Sequence, residues 1–149
     1  MRLLASDPYG SAEQASAVGA ELVDLETLLH QSDFVSISCA LTEETHHLIN
    51  AERLALMKES AYLINTARGP IVAQQALTAA IERGAIAGAG LAVFEEEPVP
   101  QDERLLALTE QTIVAPHGLC WTDECFGLIG RSACRSILEV ASGSLPEYL

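Results

Sequence analysis

Three consecutive stretches decide the fold class: the apolar run Ala61-Tyr62-Leu63-Ile64-Asn65, the helical pattern Ala73 to Arg83, and the glycine-thinned run Ile86 to Phe94. The first is continuously apolar up to Asn65, as a strand buried in a parallel sheet reads. Gly84 stands just past the helical pattern, where a chain commonly leaves a helix through a left-handed residue. Strand, helix and strand in this order form a crossover unit, whose two strands run parallel and whose connection is right-handed.

The same alternation extends in both directions. Leu3 to Ser6 reads as a strand stopped by the turn cluster Asp7-Pro8-Tyr9-Gly10. Ser11 to Val18 reads as a helix with Ser11 as N-cap and Gly19 past its end. Ala20 to Val23 is a short strand, Asp24 caps a helical piece from Leu25 to His30, and Asp33 to Ser38 is a third strand. Asn50 caps Ala51 to Met57, Thr112 to Ala115 is the last strand, and Thr122 caps a long closing helix reaching Ser142. The expectation is one α/β domain over 1–149, Rossmann-type, with a mainly parallel sheet flanked by helices. The chain shows no internal repeat or low-complexity tract, and the segment 95–101 is the one obvious irregular excursion.

Composition narrows the function classes. Among 149 residues, 8 Lys and Arg face 21 Asp and Glu, a formal charge of −13. Such a surface repels phosphate backbones and anionic lipid, so neither a nucleic-acid nor a membrane partner is expected. No apolar run reaches the roughly 20 residues of a membrane span. The start Met1 to Asp7 lacks a basic-then-apolar targeting pattern, and the expected location is cytoplasmic. Cys39, Cys120, Cys125 and Cys134 are irregularly spaced and read as reduced thiols. No metal is expected, because His46 and His47 are adjacent and Cys120 and Cys125 lack the tight spacing of a zinc knuckle.

In open α/β sheets ligands bind beyond the carboxyl ends of the strands. Four such ends carry polar residues: Asp7, Arg68, Glu97 and His117. Each has an ordinary structural reading when taken alone, as a turn residue, a solvated cation, part of an acidic run or a surface histidine. A guanidinium that clamps a carboxylate, an imidazole that moves a proton near neutral pH and an acid that orients it would together make an oxidoreductase-like or lyase-like set.

The longer strings are more specific. Ser32-Asp33-Phe34-Val35-Ser36-Ile37, Leu41-Thr42 through Leu48-Ile49-Asn50 and Leu56-Met57-Lys58 resemble the D-isomer-specific 2-hydroxyacid dehydrogenase family. Asn65-Thr66-Ala67-Arg68-Gly69, Gly88 through Pro98 and Ala115-Pro116-His117 continue that resemblance in the same order. It implies a Rossmann-type nicotinamide-binding unit and hydride transfer between NAD(H) and a 2-oxo or D-2-hydroxy acid. By the same resemblance, Arg68 holds the substrate carboxylate and carbonyl, His117 is the general acid/base, and Glu97 is the acid paired with it. Asp7 matches the residue that binds the adenosine ribose, where a carboxylate favours NAD over NADP. Cys39, Thr66, Ala67, Arg68, Ala92, His117, Gly118 and Leu119 fall where the family lines the dinucleotide.

The chain also departs from the family pattern. It begins at what resembles the second strand of the dinucleotide fold, and it contains no G-x-G-x-x-G loop to cradle a pyrophosphate. Ala92 stands where the family has an aspartate, Ala40 where it has a proline, and Ala73 where it has an acidic residue early in a helix. The resemblance therefore implies the C-terminal part of a cofactor domain without the substrate domain, homodimeric in its complete form and inactive as an isolated piece. The alternative is a non-catalytic remnant that acts at most as a binding or association module.

Overall fold

Capping chemistry sets where most of the helices begin. In the computed structural model, which describes residues 1–118 and 121–146, the Ser11 hydroxyl accepts from Gln14 N while the Gln14 side chain accepts from Ser11 N. This reciprocal box starts α1 (Ala12–Ala17), and Gly19 leaves it at φ +74°. Asp24 starts α2 (Leu25–Gln31) by accepting from both the backbone and the hydroxyl of Thr27. Those bonds, the Thr27 backbone N–H first, hold the Asp24 carboxyl below its ordinary range. Asn50 starts α3 (Ala51–Leu54), and Gly84 at φ +70° follows α4 (Gln74–Glu82).

The strands are short: β1 (Leu3–Ala5), β2 (Ala20–Leu22), β3 (Phe34–Ile37), β4 (Tyr62–Asn65), β5 (Gly88–Leu91) and β6 (Thr112–Val114). Every pairing is parallel. The expected sheet is nevertheless divided, with β1 and β2 in one sheet and β3, β4, β5 and β6 in another. The doubly wound dinucleotide fold places its first strand between the second and the fourth. With β1 and β2 as its second and third strands, the break falls where that first strand lies.

The larger sheet has two unlike faces. Val35, Leu63, Ala89 and Leu91 point into a core that includes Leu29, Leu54, Ile71, Leu77 and Leu105. On the other side Phe34 and Tyr62 stack with ring centroids 5.7 Å apart, and they are 66% and 42% exposed. The reading of Ala61 to Asn65 as a buried strand is thus corrected at Tyr62, which is exposed while Leu63 and Asn65 are buried.

Element ends differ from expectation in physical detail. The helix begun at Asn50 stops at Leu54, after which Leu56 N and Met57 N bond three residues back in tightened turns. β5 stops at Leu91, and the predicted strand through Phe94 ends early because Val93 and Phe94 leave the ladder. Two elements had no clear sequence signal: the 3-10 turn Gly69–Ile71 and α5 (Arg104–Ala107), which is capped by Glu103.

The chain divides into two compact units, residues 1–116 and 117–149. Among the described residues, β1 to β6 all lie in the first. The second contains α6 (Asp123–Ala141), started by the Thr122 hydroxyl accepting from Cys125 N. Glu124 in its first turn is held below the ordinary carboxylate range by its own backbone N–H and by the Thr122 hydroxyl. No described helix is long and apolar enough to cross a membrane.

The one-sided sheet sets an order for truncations. Leu63 is fully buried, so Leu63→Ala is expected to cost about 2–5 kcal/mol in urea unfolding. Phe34→Ala, on the bare face, is expected to cost no more than about 1.5 kcal/mol. The reverse order would show that the Phe34 face is the covered one.

Candidate active site

Asn65 ends β4 almost fully buried, at 1% exposure. A buried amide must be satisfied, and this one is satisfied by folding the chain around it. Its Oδ1 accepts from Ala67 N at 3.0 Å and its Nδ2 donates to Arg68 O at 3.0 Å. Its backbone carbonyl accepts from Ala92 N at 3.0 Å, tying the end of β5 to the same point. Thr66, Ala67 and Arg68 thus form a turn wound on one side chain. The Arg68 guanidinium is exposed, and its Nη1 donates to Ala67 O at 2.7 Å.

The neighbouring strand end is held by hydroxyls. Thr45 Oγ1 donates to Ala40 O and accepts from Thr42 N, both at 2.7 Å, which fixes the loop leaving β3. Between these two loops opens a cleft of about 770 Å³, lined by residues 37–41 and 66–68. Cys39, Thr66, Ala67 and Arg68, four residues singled out from the sequence, lie on its wall. A smaller concavity of about 350 Å³ at residues 101–108 contains none of them.

The third loop leaves β5. Ala92 is 5% exposed and offers only a methyl group where the family pattern has an acid. Glu97 Oε1 accepts from Phe94 N at 3.0 Å, so this acid is braced by the backbone three residues earlier. The Arg68 and Glu97 loops meet at Gly69, where a Cβ would stand 1.8 Å from Phe94 O and 2.5 Å from Glu95 N. Only glycine permits that approach.

Asp7 follows β1 on the smaller sheet, where Oδ1 accepts from Tyr9 N at 2.9 Å in a tight turn. His117 and Gly118 follow β6 but open the second unit. Leu119, like Cys120, lies outside the described residues.

Sequence reasoning missed three contributors. For Asn65 the usable signal is a polar residue closing an apolar strand. Ala73 gives α4 no side-chain cap, and Glu95 Oε1 supplies one from a distant loop by accepting from Gln74 N at 3.2 Å. His47 Nε2 lies 2.6 Å from the same Glu95 oxygen. No local pattern announces either pairing, because the partners are 21 and 48 residues apart.

For a dinucleotide, the fit is partial. The open cleft beyond two strand ends, walled by Cys39, Thr66 and Ala67 with an exposed guanidinium at its rim, suits the nicotinamide half. Asp7, exposed at the end of β1, suits ribose hydroxyls. Pyrophosphate finds no glycine-rich cradle in this sequence.

A parallel α/β unit with an open cleft beyond its strand ends and an exposed arginine on its rim is the arrangement of a nucleotide-binding domain. The family described as D-isomer specific 2-hydroxyacid dehydrogenase, NAD binding domain, matches residues 1–118. Over 149 residues the chain is 42% identical to a glyoxylate reductase of Korarchaeum cryptofilum, covering all of this chain and 45% of that protein. It is 39% identical to a D-3-phosphoglycerate dehydrogenase of Methanocaldococcus jannaschii, covering 99% of this chain and 28% of that one. The structure superposes on D-lactate dehydrogenase from Aquifex aeolicus, complexed with NAD and lactic acid, with a TM-score of 0.82 and 34% identity. That match covers 96% of this chain and 47% of that one. The chain belongs to the D-isomer specific 2-hydroxyacid dehydrogenase family and corresponds to its NAD-binding domain. It spans less than half the length of these relatives.

Because Gly69 lies against backbone rather than a movable side chain, Gly69→Ala is expected to destabilise the chain by at least about 1–3 kcal/mol. Gly130→Ala, in α6 with nothing within 4 Å of the added carbon, is expected to be neutral or to stabilise by up to about 1 kcal/mol. Thermal unfolding of the two variants side by side checks the contrast.

Proposed function

We propose that this chain is the cofactor-binding part of a cytoplasmic, homodimeric NAD-dependent dehydrogenase that interconverts 2-oxo acids and D-2-hydroxy acids. The observation that carries the reading is the pairing of the Arg68 and Glu97 loops across Gly69 beside an open cleft at the strand ends. A guanidinium in that position binds a carboxylate bidentately and polarises the adjacent carbonyl. NADH, when bound, supplies the hydride for the carbonyl carbon.

The protein's own part is position and proton transfer. Arg68 fixes the substrate carboxylate, and the Asn65 bonds fix the backbone from which Arg68 projects. His117, as the imidazolium, donates a proton to the carbonyl oxygen as negative charge develops there. Glu97 orients the imidazole and favours its charged form. In the oxidative direction the neutral imidazole takes the hydroxyl proton back. Asp7 accepts from ribose hydroxyls and disfavours a second phosphate at that place.

A non-catalytic remnant is the second reading, and Ala92 favours it. Its buried methyl cannot make the polar contact that the family pattern places toward the nicotinamide end. The two readings separate in kinetic assays. The 149-residue chain is expected to bind NADH weakly and to reduce no 2-oxo acid. In the complete polypeptide with glyoxylate and other short 2-oxo acids, His117→Asn is expected to lower kcat about 10²–10⁴-fold. Arg68→Ala is expected to act mainly by raising KM. A complete polypeptide without turnover would favour the remnant; micromolar NADH binding with turnover by the 149 residues alone would refute the fragment reading.

A further inference from the structure

We propose that His47 is a positioning residue that locks the Arg68 and Glu97 loops into one arrangement. This rests on the dehydrogenase reading above. His47 is the only non-glycine residue at positive φ among the described residues, at φ 50°. A histidine held in the left-handed region carries strain, and such strain persists where surrounding contacts over-determine it.

Two contacts do so here, and each reaches a different loop. The backbone N–H of His47 donates to Pro70 O at 2.8 Å, two residues beyond Arg68. The ladder continues as Ile49 N donates to Ile71 O and Ala73 N to Ile49 O, both at 3.0 Å. On the side-chain end, Nε2 lies 2.6 Å from Glu95 Oε1, two residues before Glu97. That carboxylate oxygen also accepts from Gln74 N at 3.2 Å, while Glu95 N donates to Gln74 Oε1 at 2.9 Å. Gln74 Nε2 in turn donates to Glu103 Oε2 at 2.7 Å.

Glu95 therefore binds helix α4 and His47 with one oxygen. With His47 in place, the turn after Arg68, the start of α4 and the loop before Glu97 form one closed ring of bonds. The pair is partly exposed, with side chains 43% and 30% accessible, so as an ion pair it adds little stability. Its effect is geometric. Small displacements of substrate-holding groups cost far more rate than they cost stability. The ring of His46 lies beside that of His47 with centroids 4.0 Å apart.

His47→Asn tests the clamp. Asparagine tolerates the left-handed backbone, but its shorter side chain cannot span to Glu95. In the complete polypeptide the variant is expected to lose about 10- to 100-fold in kcat/KM for the 2-oxo acid, through both KM and kcat. NADH affinity and melting temperature are expected to stay at the wild-type values. Glu95→Ala is expected to show a similar loss, and the double variant no more than Glu95→Ala alone. Glu95→Gln, whose amide oxygen still accepts, is expected to retain most of the activity. Independent additive losses, or a loss explained by weaker NADH binding or a lower melting temperature, would overturn the proposal. An inactive wild-type polypeptide would instead overturn the dehydrogenase reading. The clamp is then judged on the 149-residue chain by amide NMR. His47→Asn is expected to shift the signals of Gly69 and of residues 94–97, and unshifted signals would overturn it.

Discussion

A missing methyl group at position 69 governs the geometry of this site. Gly69 sits so close to the Phe94 carbonyl that any side chain would occupy the space of a backbone atom. The contact brings the turn after β4 against the turn after β5, and with them the residues on either side. Arg68 precedes the contact by one residue, and Glu97 follows it by three. The turn that carries Arg68 and the turn that leads to Glu97, remote in sequence, are thereby packed against each other.

Around that contact the polar groups form a supporting layer. Asn65 is buried because its amide replaces the ladder partners that the chain loses as it leaves the strand. Glu95 takes the place of the local cap that Ala73 does not provide, so α4 begins where a distant loop fixes it. The absence of an acidic residue at position 73 is therefore compensated in space rather than in sequence. The consequence is that the start of α4 and the path toward Glu97 are a single structural feature.

The sheet carries a corresponding constraint. Parallel strands are normally covered on both faces and continuous from edge to edge. In this chain the strands fall into two groups, and one face of the larger group bears the exposed Phe34 and Tyr62 rings. Both features are intelligible if the dinucleotide fold's first strand belongs in the break. The strand ends that shape the cleft are nevertheless set entirely by β3, β4 and β5, whose register is complete over Val35, Leu63 and Ala89.

Much of this was readable from the residues alone. Ser11, Asp24, Asn50 and Thr122 cap helices where the sequence places them, because a cap is satisfied by backbone groups two or three residues away. The alternation of strands and helices is equally local, and the strings around Arg68, Glu97 and His117 identify the family. What the sequence left undetermined is non-local: the division of the sheet, the bare face of β4, the fit of Gly69 against Phe94, and the ring from His47 through Glu95 to Gln74. Those features depend on atoms 21 to 48 residues apart meeting at hydrogen-bond distance, and separations of that kind are fixed only once the chain has closed around its core.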